Sequence, residues 1–145
     1  MRYAVVALAI VVFLGISLLL ARVLSADSRE QSDVADLIRA QAHGDADAML
    51  RQLNGCSAEP GCATRVRANV KALHRPGAVK LVRFDPSTSF ALTPNTGTAR
   101  VVWNTVDVHE PVVQCVIVQR TGNVLSGPGV KLRYVSGPRP GTSSC

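Results

Sequence analysis

From Tyr3 to Ala21 the chain runs nineteen residues in which only Gly15 and Ser17 interrupt Val, Ala, Leu, Ile and Phe, and no charge falls within the run. An α-helix rises 1.5 Å per residue, so about 20 such residues cross a hydrocarbon layer of about 30 Å. The pattern predicts a transmembrane helix: residues 1–24 form the anchor, 3–21 touch the lipid bilayer, and Arg2 and Arg22 reach toward the two interfaces. A cleaved signal peptide is the competing reading, with Met1-Arg2 as its basic start and Val23-Leu24-Ser25 as its cleavage site. The length of the apolar core favours the uncleaved anchor. No Cys precedes Cys56, which excludes a lipoprotein, and the apolar helix lacks the carboxylate that pilin-like subunits carry.

After the run, residues 25–31 are polar and read as a short juxtamembrane link or the exposed first turn of a helix. Ser32 then suits an N-cap, and Val34, Leu37, Ile38, Gln41 and Ala42 follow helical spacing to about His43. Gly44 suits a left-handed C-cap, and Asp45 caps a second short helix carrying Ala46, Met49, Leu50 and Leu53. Pro60-Gly61 turns the chain between Cys56 and Cys62. A third helix follows with its stripe at Ala63, Val66, Val70 and Leu73, ended by Pro76-Gly77. Beyond it the pattern is extended: Val79 to Phe84, Thr98 to Asp107, Val112 to Arg120 and Val130 to Val135, with His109-Glu110-Pro111 as a hairpin connection. Helices first and an antiparallel meander second define an α+β domain over 32–136: about three helices packed on a curved antiparallel sheet of about four strands. A Pro- and Gly-rich tail occupies 137–145.

Composition divides the chain in the same place. Of its 145 residues 47% are hydrophobic, but twenty of those lie in the first 24, leaving a domain of ordinary soluble character. A chain of this length supports about one domain and excludes a large multidomain enzyme. The positive-inside rule barely discriminates here, because Arg2 opposes Arg22 and Arg29. The cysteines discriminate better: Cys56, Cys62, Cys115 and Cys145 all lie in the domain. An even count in a small domain reads as disulfides supplementing a limited core, outside the cytoplasm. Of the three pairings, Cys56 with Cys62 and Cys115 with Cys145 is favoured, the second fastening a tail without an apolar anchor. The spacing of a dithiol redox or zinc site is absent, and neither metal nor cofactor is expected.

Charge is also unevenly spread. Residues 26–59 hold seven acids and three bases, whereas Arg65, Arg67, Lys71, Arg75, Lys80 and Arg83 precede Asp85 with no acid among them. A solvated helix face accounts for most of this. The functional reading is contact between Arg65, Arg67, Lys71 and Arg75 and an anionic surface, lipid headgroups or an envelope polymer. Residues 23–145 carry a net charge of only +4, which argues against nucleic acid.

The run Ala40-Gln41-Ala42-His43-Gly44-Asp45-Ala46-Asp47, with the strands that follow, resembles the helix-corner-helix opening of the nuclear-transport-factor-2-like, or cystatin-like, superfold. That resemblance implies helices packed into a curved sheet around a pocket, where enzymes of the fold set an acid or base beside a hydroxyl donor. The available groups are His43, His74, Asp107, His109, Glu110 and Tyr134. None has nucleophile–base spacing, and no phosphate loop or metal motif accompanies them, so no catalytic residue is assigned. The sequence therefore predicts a single-pass cell-membrane protein with an extracytoplasmic domain that binds or scaffolds at the envelope, with an envelope protein or anionic surface as partner. An isomerase- or hydrolase-type enzyme is the alternative, and a secreted soluble binding module, differing in cleavage of the anchor, is the third.

Overall fold

The chain opens on a 41-residue helix, α1 (Arg2–Ala42). The structure is a computed structural model describing residues 2–87, 95–121, 129–141 and 143–145, with the backbone alone at 2, 4 and 22–26. The polar stretch 25–31 does not interrupt α1, and Ser32 lies inside it instead of capping a new helix. The stretch contains neither Gly nor Pro, and its Ser and Asp residues cost the helix only a few tenths of a kcal/mol each. Two of its acids are held by the sheet, as described below.

The two halves of α1 differ in surroundings. Every described large apolar side chain from Tyr3 to Leu20 is between 47% and 93% exposed, whereas Val34, Leu37, Ile38 and Ala42 are fully buried. Among the described residues no helix is long and apolar enough to cross a membrane. The uninterrupted stretch with described side chains is 5–21, roughly 25 Å of helix, and the sequence continues it through Ala4 to Tyr3.

Gly44, at φ +85°, turns the chain out of α1. Asp45 caps α2 (Ala46–Gln52), its Oδ1 accepting from the Ala48 N–H at 2.8 Å. A 3-10 turn at Cys56–Ala58 leads through Gly61, at φ +80°, into α3 (Cys62–Leu73). Four strands follow: β1 (Val79–Asp85), β2 (Asn95–Thr105), β3 (Val112–Thr121) and β4 (Gly129–Val135). They form one antiparallel sheet in chain order. The molecule is thus α+β, with helices against one sheet face. β2 begins three residues before the expected Thr98 and ends at Thr105, which leaves Asp107 in the turn.

One side chain changes face. Strand alternation puts Tyr134 with Leu132 and Ser136, but the β3–β4 register slips between Ile117 and Val118. Leu132 and Val135 are both buried, and Tyr134, opposite Ile117, lies on the other face. Gln114 bonds to Gln41 of α1, so its neighbours Val113 and Cys115 point to the outer face. There the tail covers them: the Arg139 N–H donates to the Val113 carbonyl at 2.8 Å, and Cys115 is bonded to Cys145.

Candidate functional site

Both disulfides are as the sequence favoured, Cys56 with Cys62 and Cys115 with Cys145, at Cα separations of 5.4 and 5.7 Å. All four cysteines are thereby bonded. The tail is also held by Arg100, which donates to the Gly141 carbonyl at 2.8 Å and the Ser143 carbonyl at 3.3 Å.

The interior between helices and sheet, where the resemblance implies a pocket, is filled by Trp103, Leu37, Ile38, Met49, Val101 and Val116, all fully buried. Its polar centre is closed on itself. Gln41 Nε2 donates to Gln114 Oε1 at 2.9 Å, and Gln114 Nε2 donates to Gln41 Oε1 at 3.2 Å. Trp103 Nε1 donates to Gln114 Oε1 at 2.8 Å, and Gln114 Nε2 also reaches the Ser136 carbonyl at 2.8 Å. Low dielectric makes such bonds strong and makes their loss costly.

Five of the six groups considered for chemistry gather at the end of the domain where α1 finishes. His43, His74, Asp107, His109 and Glu110 are all exposed there. The His74 ring abuts Gly44, where a Cβ would stand 3.2 Å from Nδ1. Asp107 crowds Gly77, where a Cβ would stand 2.5 Å from Oδ2. The carbonyls of His109 and Glu110 accept from Asn104 and Arg75. Tyr134 is not brought to them: its ring lies on the opposite sheet face, 4.8 Å from the Arg65 guanidinium carbon. Among the described residues no group of three or more His, Cys, Asp or Glu is placed to hold a metal ion.

The basic residues separate into two pairs. Arg65 stacks on Tyr134 and lies 3.5 Å from Glu59, while Arg75 donates to the Glu110 carbonyl at 2.6 Å and faces the Trp103 ring at 5.7 Å. These two are engaged within the domain. Arg67 and Lys71 are exposed on the solvent side of α3.

A charged clamp on α1 had no counterpart in the sequence reading. Glu30 is fully buried and accepts four bonds: from Ser87 N at 2.7 Å, Ser87 Oγ at 3.0 Å, and Arg120 Nε and Nη2 at 2.9 and 2.7 Å. Arg120 Nη2 also reaches Asp27 Oδ1 at 2.6 Å. Burial opposes the Arg120 charge, but its bonds to the Glu30 and Asp27 carboxylates outweigh that and hold the guanidinium above its ordinary pKa. Gly97 completes the contact, since a Cβ there would lie 2.0 Å from the Ser87 carbonyl oxygen. The signal available in the sequence was two acids at i, i+3 on a helix and one Arg at a strand end.

A groove of about 300 Å³ opens beside β4, lined by Asp33, Asp36, Gln52, Asn54, Val130, Lys131 and Leu132. Partial burial and then the neighbouring Asp36 raise the Asp33 pKa, with Arg29 opposing. Asp36 is paired with Arg39. On the far side of the sheet a hydrogen bond from Arg83 lowers Asp85, partial burial opposes, and Arg100 adds to the lowering.

The chain matches no protein-family model, no curated protein and no solved structure.

Proposed function

We propose that the protein is a single-pass, membrane-anchored domain that binds or scaffolds at the cell envelope, with its carboxyl-terminal domain outside the cytoplasm. The observation that carries this reading is α1, whose first half exposes an unbroken apolar surface while its second half forms the domain core. An exposed apolar surface of that length is not a stable state in water and calls for an apolar neighbour. At nineteen charge-free residues, the run from Tyr3 to Ala21 has about the length the hydrocarbon layer requires. The two disulfides support the compartment. Helices against an antiparallel sheet agree with the layout of the nuclear-transport-factor-2-like superfold, which hosts binding and assembly domains as well as enzymes. A filled interior favours the binding role over the enzymatic one.

In this reading the basic residues of α3 do not serve the bilayer the protein is anchored in. Arg75 lies beside the end of α1, about 30 Å of helix beyond Ala21, and charges are screened over about 8 to 10 Å. Arg67 and Lys71 are left for an anionic polymer or partner protein, where anchoring raises the effective concentration.

Membrane fractionation with alkaline extraction, N-terminal sequencing and non-reducing mass spectrometry test the proposal. It expects a membrane-retained chain with an uncleaved start and two disulfides. A soluble product beginning near Ala26 would assign the secreted module instead, and four free thiols would remove the extracytoplasmic placement.

A further inference from the structure

We infer that the sheet end bearing Asn95, Thr96, Thr121 and Gly129 rests on the lipid headgroup layer beside α1, so that the domain stands on the bilayer in one orientation. The inference rests on the anchored reading of α1 and goes beyond it, because an anchor alone allows any tilt.

The geometry begins with the clamp. Arg120 binds Asp27 and Glu30, which ties the end of β3 to the part of α1 that follows the apolar run. Asp27 and Glu30 stand about 9 and 14 Å beyond Ala21 along the helix. At the other end of β3, Gln114 bonds to Gln41, so β3 runs toward the apolar half of α1 as its numbering increases. Thr121, paired with Gly129, lies one residue nearer that half than Arg120. Asn95 pairs with Arg120, and Ser87 hydrogen-bonds to Glu30. These residues therefore form the end of the sheet nearest the apolar segment. The headgroup layer is about 5 to 8 Å thick on each side, and Val23 and Leu24 extend the apolar sequence past Ala21, so the sheet end meets its outer boundary.

Charge distinguishes this end from the opposite one. The described residues here, Ser87, Asn95, Thr96, Thr98, Thr121 and Gly129, carry no ionisable side chain. Among the described side chains the ionisable groups at this level are Asp27, Arg29, Glu30 and Arg120, two acids and two bases, with Arg120 paired to both acids. The opposite end exposes His43, His74, Asp107, His109 and Glu110. Uncharged Thr and Asn hydroxyls and amides suit a layer of polar headgroups without the desolvation cost that charges would incur there. The contact is thus with headgroups in general and needs no anionic lipid.

The test uses the full chain in phosphatidylcholine vesicles containing a gadolinium-chelate headgroup lipid. Nitroxide labels are placed after oxidative folding at Thr96→Cys, Asp107→Cys and Leu14→Cys, with exposed Thr98→Cys replacing Thr96→Cys if that variant fails to fold. The expected result is a loss of signal by relaxation at position 96 and none at 107, unchanged by adding anionic lipid. Equal relaxation at 96 and 107, a requirement for anionic lipid, or shielding of 96 that grows with protein-to-lipid ratio and so marks a second copy, would each overturn the inference. Oxygen, which concentrates in the acyl region, reads the anchor separately through relaxation of the label at 14: if oxygen relaxes 14 and the gadolinium lipid does not relax 96, only the orientation fails.

Discussion

Replacing Gln114 by Leu keeps the volume of the side chain nearly constant while removing its amide from the centre of the buried network. Trp103 Nε1 loses its acceptor, and Gln41 loses both the acceptor of its Nε2 and the donor to its Oε1. The Ser136 carbonyl keeps the bond from Asn69 at 3.2 Å. Each buried group left unsatisfied costs about 1 to 3 kcal/mol. Allowing Gln41 to re-aim, Gln114→Leu should cost about 3 to 5 kcal/mol, a large part of a typical stability of about 5 to 15. Adding Gln41→Leu removes two of the three orphaned groups. The double variant should therefore be more stable than Gln114→Leu alone, with a total cost of about 1 to 3 kcal/mol. Chemical unfolding of the full chain in micelles measures this, and Trp103 is the sole tryptophan and a member of the network. A cost below about 1 kcal/mol for the single variant, or a double variant less stable than the single, would refute the reasoning.

Three shorter predictions follow. Gly97→Ala forces a methyl against the Ser87 carbonyl and should destabilise by about 1 to 3 kcal/mol, read by the same unfolding assay, with Thr98→Ala as a control that changes nothing of the kind. Cys115→Ser with Cys145→Ser should cost about 2 to 4 kcal/mol and make the tail cleavable by protease within the otherwise folded chain; a resistant tail would show that Arg100 and the Arg139 bond hold it unaided. Because the Asp33 pKa is raised in the fold, its ionised form opposes folding above that pKa and protonation relieves the penalty as pH falls through it. Asp33→Asn should accordingly raise the unfolding midpoint at pH 7 and lose that advantage below about pH 4; a variant less stable than the parent at pH 7 would contradict the assignment.

Where local pattern alone determines an element, the sequence reading and the structure agree. The four strands, the Gly44-Asp45 corner and α3 stand within a few residues of their expected places because alternation, capping and helical stripes are short-range signals. The departures come from distant partners. The polarity of residues 25–31 suggests a solvated link or an exposed first turn of a helix, yet Glu30 is buried by Ser87 and Arg120, the latter ninety residues away. Gln41 sat on an apolar stripe with no visible reason until Gln114, from the third strand, supplied its bonds. Strict alternation would set Tyr134 on the face of Leu132, and a bulge breaks that alternation without a local mark. The residues picked as candidate chemistry cluster at one end because turns and helix termini collect polar groups, and their proximity follows from topology.

The unbroken course of α1 makes the distance between its apolar half and its domain half a matter of angular phase as well as length. Each residue in a helix contributes 1.5 Å of rise and, at 3.6 residues per turn, about 100° of rotation. One residue added or lost among 22–26 would swing the sheet around the helix axis by more than a quarter-turn. Seven added residues would nearly restore the bearing while lifting the sheet by about 10 Å. The stretch that joins the two halves therefore behaves as a keyed shaft, tolerant of which residues it holds and intolerant of how many.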